Sequence, residues 1–171
     1  MREPPQRRGR HVIRPEVSRS RTFGKVGVSQ SQFFNQYLAT IQLNEVKVHW
    51  NKLDLSYLER HRWDQVFSEA VTQSTNIHAN SITTHHEPNC MHASEATAAK
   101  PLVTGLRVDY LGLDGPGRGG VPSLQGISRQ LGLMHDPKAG VPRTSYRGVI
   151  TIVKDNCRIY ITPQDFKGTI E

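Results

Sequence analysis

The spacing of apolar residues predicts two helices in the first half of the chain. One apolar face has spacings of one and three positions and consists of Phe33, Phe34, Tyr37, Leu38 and Ile41. A second face follows Asp54 and Ser56, either of which can begin a helix, and consists of Trp63, Val66, Phe67, Ala70 and Val71. Between these helices, alternating apolar and polar residues over 45–50 predict a half-buried strand.

The second half of the chain has the periodicity of strands around one short helix. Residues 106–113 predict a strand, and residues 122–134 predict a short helix whose inward face is Leu124, Ile127, Leu131 and Met134. The β-branched segments 148–153 and 157–162 flank a short turn, which predicts a β-hairpin that ends at Pro163. Because residues 149–153 are apolar on both faces, we expect the first hairpin strand to be central and covered.

These elements predict an α+β fold in a small single domain. We expect two or three helices and a mixed or antiparallel sheet that ends in the C-terminal β-hairpin. Residues 1–28 are expected to form an extended Arg-rich arm, and residues 29–171 the α+β domain. Residues 74–101 are polar and small without a defensible period, which predicts a long polar loop within that domain.

Positive charge is concentrated at the beginning of the chain. The net charge is +7, and residues 1–25 contain eight basic and two acidic residues, so the remainder is nearly neutral. Because the arginine fork pairs with phosphate and carboxylate groups, the arm is predicted to bind nucleic acid or an acidic partner. The predicted contact residues are Arg2, Arg7, Arg8, Arg10, Arg14, Arg19, Arg21 and Lys25, with a supplementary contact from Arg118.

A histidine-rich segment raises the question of a metal site. Its imidazole and thiol groups, the ligands that zinc prefers, belong to His78, His85, His86, Cys90 and His92. A structural zinc site usually has two closely spaced ligand pairs, and this segment has a single cysteine and no second pair. We therefore interpret it as a polar loop and predict no metal.

A glycine-rich segment over 112–120 formally matches a phosphate-binding pattern. Gly115, Gly117 and Gly120 have the spacing G-x-G-x-x-G after a predicted strand and before a predicted helix. Pro116 and Pro122 remove N–H groups that such a phosphate cradle would use. The segment is therefore interpreted as a tightly turned loop, and no cofactor is predicted.

No catalytic motif is recognisable in the chain. The nucleophile elbow G-x-S-x-G, the metalloprotease motif and the Walker loop are absent from the sequence. His135 and Asp136 are neighbours, but adjacency alone does not make an oriented pair. We therefore predict that the protein is not an enzyme.

The cysteine content and the hydropathy pattern bear on localisation. Two cysteines, Cys90 and Cys157, are too few for a disulfide framework, which favours a reducing compartment. No apolar run approaches the length that spans a bilayer, and no secretory signal follows Met1, so no membrane partner is predicted. The predicted location is intracellular, either mitochondrial or cytoplasmic and cytoskeletal, and not secreted.

The predicted function follows from the basic arm and the nearly neutral remainder of the chain. We expect a structural subunit of a large assembly, a ribonucleoprotein resembling an organellar ribosome, whose arm enters RNA while its nearly neutral body packs on protein subunits. One alternative is a cytoskeletal or ciliary microtubule-associated protein that lays the arm on the acidic surface of tubulin. Another alternative is a viral coat-type protein with an RNA-binding arm.

Overall fold

A computed structural model describes residues 4–15, 17–22, 25–27, 30–39, 41, 43–83, 104–154 and 157–168. The described residues contain three α-helices, α1 (Pro4–Arg7), α2 (Arg60–Thr72) and α3 (Leu124–Leu131). They also contain four strands, β1 (Thr75–Asn76), β2 (Leu106–Tyr110), β3 (Ile150–Lys154) and β4 (Cys157–Pro163). Shorter helical turns are a π-helical turn at Phe34–Leu38 and 3-10 turns at Trp50–Lys52, Ser56–Leu58 and Ala79–Thr83.

The four strands form one mixed sheet in the order β1-β2-β4-β3. Strands β1, β2 and β4 are parallel, with Val108 of β2 opposite Ile161 of β4. Strand β3 is antiparallel to β4, with Ile152 opposite Ile159, so these two strands pair as a hairpin. The described residues thus form a small single domain with three helices and a four-stranded mixed sheet, which is consistent with the predicted α+β class.

Both faces of the sheet are covered by packed elements. Because successive side chains of a strand point to opposite faces, the strands contribute to two separate cores. On one face, α3 and the 3-10 turn at Ala79–Thr83 pack on apolar residues of three strands, and the buried members of this core include Leu106, Val108, Leu124, Ile127, Ile150, Ile159 and Ile161. On the other face, α2 packs on Tyr160 and Val149 through its buried residues Phe67, Ala70 and Val71. Full burial of a large apolar side chain stabilises a fold by about 1.5–3 kcal/mol, so these two clusters hold the layers together.

The helices α2 and α3 lie where the periodicity predicts them, and local chemistry sets their ends. Helix α2 begins at Arg60, later than Asp54 or Ser56, because Glu59 has non-helical backbone angles, φ −59° and ψ 135°, after the preceding 3-10 turn. Helix α3 begins after Ser123, whose hydroxyl accepts a hydrogen bond from the backbone N–H of Gly126 at 3.2 Å. It ends at Gly132, which has a φ of +69° and so takes the left-handed conformation at low steric cost.

Two elements predicted in the first half of the chain are wrong. Residues 45–50 form no strand, and the side chain of Val46 is 70% exposed. The helix predicted over Phe33–Ile41 is reduced to the π-helical turn at Phe34–Leu38, which contains no buried residue. Helices in proteins gain most of their stability from packing an apolar face, and this face gains little by packing in the described structure.

The prediction that β3 is central and covered is also wrong. Within the described sheet, β3 pairs only with β4 and lies at one edge, where Val153 is 38% exposed. The covered strand is β4, in which five consecutive residues from Arg158 to Thr162 are buried. Apolar residues indicate that the faces of a strand are buried. They do not indicate whether the strand has a partner on both sides, which decides its position in the sheet.

Sequence positions 74–101, predicted as a long polar loop, are only partly described. Strand β1 and the 3-10 turn at Ala79–Thr83 occupy its first ten positions, and residues 84–103 lie outside the described residues. The predicted hairpin turn at Asp155 and Asn156 lies outside them as well. In the parts of the chain that are described, no helix has the length and hydropathy needed to cross a membrane.

Candidate functional site

A cleft lies at the carboxyl ends of the parallel strands β2 and β4. Tyr110 ends β2 and is opposite Pro163, which ends β4. The residues that follow these two complete the lining of a cleft of about 390 Å³, namely Leu111, Gly112, Gln164 and Asp165. In open sheets with parallel strands, ligands bind in the crevice outside the carboxyl ends of the strands, so this cleft is the first candidate site.

Backbone hydrogen bonds hold both walls of the cleft. The N–H of Gln164 donates to the carbonyl of Tyr110 at 2.9 Å and extends the β2–β4 pairing by one residue. The N–H of Leu111 donates to the carbonyl of Pro122 at 2.9 Å, and that of Phe166 donates to the carbonyl of Pro163 at 3.0 Å. These backbone bonds therefore fix the shape of the cleft, and small-molecule sites usually have such fixed walls.

Tyr110 connects the floor of the cleft to the turn before β3. Its hydroxyl donates a hydrogen bond to the carbonyl of Gly148 at 3.1 Å. Burial, with a smaller contribution from the negative charge of Asp165, raises the pKa of Tyr110 to about 12. The phenol is consequently neutral at physiological pH and acts as a hydrogen-bond donor.

An ionic network lies at the beginning of α2. Arg147 donates a hydrogen bond to Asp64 at 3.2 Å, and the hydroxyl of Tyr146 donates to the other carboxylate oxygen of Asp64. Arg60 approaches the same carboxylate at 3.9 Å. Burial and the hydrogen bond to Asp64 raise the pKa of Tyr146. Because the side chains of Arg147 and Asp64 are only 15% and 20% exposed, their pairing is weakly screened by solvent.

A tight turn at Tyr146–Val149 joins the ionic network to the cleft. Its two end residues exchange backbone hydrogen bonds of 2.8 and 3.0 Å, and its central residues Arg147 and Gly148 have φ of +50° and +84°. A left-handed conformation is unfavourable for arginine, so the pairing with Asp64 offsets a local backbone cost. The same turn supplies the carbonyl that accepts the hydrogen bond of Tyr110.

The N-terminal segment reaches this edge of the sheet through His11. The His11 ring packs edge to face on Tyr146, with 4.7 Å between ring centroids. Tyr146 in turn contacts Trp63 and Phe67 of α2, with ring centroids 6.3 and 5.4 Å apart. His11 thus brings the segment to which the predicted contact residues belong close to the ionic network.

The predicted basic contact residues occupy varied environments. Arg8, Arg14, Arg21, Lys25 and Arg118 are exposed, and Arg10 is exposed while donating a 3.3 Å hydrogen bond to the carbonyl of Gln6. Arg19 lies over the ring of Trp50 at 5.8 Å. Arg7 belongs to α1, and Arg2 lies outside the described residues. The six residues that line the cleft include none of this set, and its binding role stays a prediction.

The histidine-rich and glycine-rich segments are both partly or fully described. His78 contacts the carbonyl of Gly120 at 3.2 Å, whereas His85, His86, Cys90 and His92 lie outside the described residues. The described residues contain no group of three or more His, Cys, Asp or Glu side chains that could hold a metal ion. In the glycine-rich segment, a Cβ at Gly117 would lie 2.3 Å from the carbonyl oxygen of Val121, as a tight turn requires.

His135 and Asp136 do not form a pair with each other in the contacts that are described. The ring of His135 contacts Asp114 at 2.7 Å, and Asp136 accepts a hydrogen bond from Arg143 at 3.0 Å. The neighbouring residues in sequence therefore have different charged partners.

Sequence reasoning missed the residues that define the carboxyl edge, chiefly Asp64, Tyr110 and Asp165. A signal was present, because tyrosine and glycine follow one predicted strand and Pro163-Gln164-Asp165 follow another. Only parallel pairing places these two strand ends together, and the prediction of a mixed or antiparallel sheet left that pairing open. Asp64 is far from both in sequence and reaches the edge through α2.

The state of Cys157 contradicts the predicted reducing compartment. Cys157 is disulfide-bonded, and no described cysteine is free. The chain contains one other cysteine, Cys90, which lies outside the described residues. Disulfides persist in oxidising compartments, so the prediction of a reducing compartment is wrong.

Comparison with known proteins relates the chain to glycosyltransferases. The model of the GNT-I family matches residues 1–170. An Arabidopsis thaliana protein named alpha-1,3-mannosyl-glycoprotein 2-beta-N-acetylglucosaminyltransferase is 31% identical over 159 residues, which cover 92% of this chain. The match covers 31% of that relative, so the chain spans about a third of its length.

These matches overturn the predicted function, partners and location. The structural subunit of a ribonucleoprotein, the microtubule-associated protein and the viral coat-type protein are wrong, as is the prediction that the chain is not an enzyme. RNA and tubulin are wrong as partners. Enzymes of the GNT-I family act in the Golgi lumen, so a mitochondrial or cytoskeletal location is wrong too. The match to nearly every residue shows that the chain belongs to the GNT-I family.

Proposed function

We propose that this chain is part of a glycosyltransferase that adds N-acetylglucosamine to mannose in glycoproteins. The observation that carries the proposal is the similarity to the Arabidopsis thaliana enzyme across 92% of the chain. The chain spans about a third of that relative, so we propose for it one part of the reaction. The role proposed for the chain is to bind and position substrate.

The carboxyl edge of the sheet is the proposed substrate-facing surface of this part. It combines a formed cleft, a neutral phenol at Tyr110 and the rigid network around Asp64. Groups fixed before the substrate arrives lose little entropy on binding, which is how positioning contributes to rate. His11 connects the N-terminal segment to the same surface.

The basic N-terminal segment is proposed to face the phosphates of a sugar nucleotide. The finer division of the chain, with an extended arm over 1–28 and a domain over 29–171, belongs to this proposal. Exposed arginines at positions 8, 14 and 21 can donate paired hydrogen bonds to phosphate oxygens. Family membership points to sugar-nucleotide and glycoprotein substrates, which supports this anion in place of RNA.

An exchange experiment tests the proposed function. The segment of the Arabidopsis thaliana relative that matches this chain is replaced by residues 1–170, and transfer of N-acetylglucosamine to a mannose-terminated glycan is measured. We expect the folded hybrid to retain transfer. A hybrid that is folded and as abundant as its parent but transfers no sugar would contradict the proposal.

A further inference from the structure

We propose that the cleft between Tyr110, Leu111, Gly112, Pro163, Gln164 and Asp165 binds a neutral mannose-containing glycan as an acceptor subsite. This inference rests on the proposed transferase function, and it adds the place in this fold where the acceptor glycan binds. The cleft volume of about 390 Å³ lies within the range of roughly 300–1,000 Å³ that small-molecule sites occupy. A ligand of one or two sugar rings is therefore the appropriate size.

The polar groups of the cleft suit a ligand with many hydroxyls. Asp165 presents a carboxylate that accepts hydrogen bonds, and Gln164 presents an amide that both donates and accepts. Both residues are exposed, and no hydrogen bond or ion pair of either side chain occurs among the described contacts. Adjacent hydroxyls of a pyranose ring require this mixture of acceptors and donors.

Apolar groups line the remainder of the cleft. Leu111 is 37% exposed there, and Pro163 adds a rigid ring beside it. The C–H face of a sugar ring is the less polar part of the ligand and can cover this surface. An exposed leucine beside a carboxylate and an amide thus matches the two-sided chemistry of a pyranose.

Charge selects the acceptor glycan over the sugar nucleotide for this cleft. The carboxylate of Asp165 is the only charged group among the six lining residues, and the buried phenol of Tyr110 carries no charge at neutral pH. A diphosphate placed beside an uncompensated carboxylate would be repelled, whereas a neutral glycan would not. The exposed arginines of the N-terminal segment are the better phosphate ligands.

The test is a titration of the full chain with α-1,3-mannobiose, followed by NMR. We expect the backbone amides of Leu111, Gly112 and Gln164 to shift together, with an affinity on the order of 1 mM. Asp165→Asn keeps the shape but removes the charged acceptor, and it should weaken binding about tenfold or more. Glu45→Gln neutralises an exposed carboxylate outside the cleft and should change neither the affinity nor the shifts.

Several results would overturn the subsite. The proposal is wrong if α-1,3-mannobiose causes no amide shifts at the cleft. It is also wrong if Asp165→Asn and the parent chain bind the disaccharide with equal affinity. Shifts of the same amides with a nucleoside diphosphate sugar or a divalent cation, but not with the disaccharide, would assign the cleft to another ligand. The hybrid-enzyme assay is independent, so transfer by the hybrid together with unaltered binding by Asp165→Asn would reject the subsite alone.

Discussion

The guanidinium of Arg147 donates a hydrogen bond to the carboxylate of Asp64 across 83 positions of sequence, at a distance of 3.2 Å. The pair joins α2 to the turn before β3, even though Arg147 has an unfavourable positive φ. Tyr146 donates to the same carboxylate, so one acid satisfies two groups of the turn. The pair therefore fixes the turn at 146–149, in which the carbonyl of Gly148 accepts the hydrogen bond of Tyr110.

Asp64→Asn is expected to destabilise the fold by about 1–3 kcal/mol, because it leaves the mostly buried Arg147 without its counter-charge. The free energy of unfolding in urea measures the effect. Glu59→Gln is the matched control, since Glu59 pairs with Arg62 at 3.6 Å where both side chains are about half exposed. The control should cost less than about 1 kcal/mol. Equal losses in both variants would show that Asp64 has no special structural role.

We expect the free energy of unfolding to fall at alkaline pH because of Tyr110. Its pKa is raised from 10.0 to about 12 in the folded protein, so the fold favours the neutral phenol. This contribution is fully present below pH 10 and is lost as the pH rises from 10 to about 12. Urea unfolding at pH 8 and at pH 11 should therefore show a smaller pH-dependent loss in Tyr110→Phe than in the parent.

Tyr37→Phe serves as the control for the alkaline experiment, because Tyr37 lies in the π-helical turn, which has no buried residue and is not part of a strand. Its pH dependence should follow that of the parent chain. At neutral pH, Tyr110→Phe should itself cost about 1 kcal/mol, since the hydrogen bond to Gly148 is lost. An identical alkaline loss in Tyr110→Phe and the parent would contradict the burial of this phenol.

Gly105, just before β2, lies too close to the backbone of β4 to accept a side chain. A Cβ at this position would lie 2.0 Å from the carbonyl oxygen of Arg158, which is backbone and cannot rotate away. Gly105→Ala should destabilise the protein by about 1–3 kcal/mol through overpacking. Gly126→Ala in α3 has ordinary contacts at 3.6 and 3.7 Å and should stabilise the helix by up to about 1 kcal/mol. Thermal unfolding of the two variants should change in opposite directions.

The disulfide of Cys157 predicts the redox behaviour of the purified chain. Denatured, unreduced protein should show no thiol that reacts with a thiol reagent, and reduction should release thiol. Cys157→Ser should lower the free energy of unfolding by about 2–4 kcal/mol. Free thiols in the parent chain before reduction, together with unchanged stability in Cys157→Ser, would contradict the disulfide.

Much of the fold follows from local periodicity, and the failures have identifiable causes. Helices α2 and α3 and the strand pair β3–β4 form as their apolar patterns predict. Each of them buries the apolar face in one of the two cores. The apolar residues Val46 and Phe33 imitate such patterns without gaining burial. The central position of β4 was missed because Arg158 interrupts its apolar run, although Arg158 is buried.

The candidate site could not be assembled from local patterns. Its parts come from α2, from the ends of β2 and β4, and from the turn at 146–149, and only long-range pairing brings them together. The function was missed for a related reason, because arginines near the beginning of the chain report affinity for anions without naming the anion. Similarity to a known family came from comparison over 170 residues and not from any short motif.

The most direct test of the central claim measures sugar transfer by the hybrid enzyme that carries residues 1–170 of this chain. We predict that the hybrid transfers N-acetylglucosamine to a mannose-terminated glycan, that Glu45→Gln leaves the rate unchanged, and that Asp165→Asn raises the KM for the glycan about tenfold while the KM for the sugar nucleotide stays the same. A correctly folded hybrid with no detectable transfer would contradict the assignment of this chain to a working transferase.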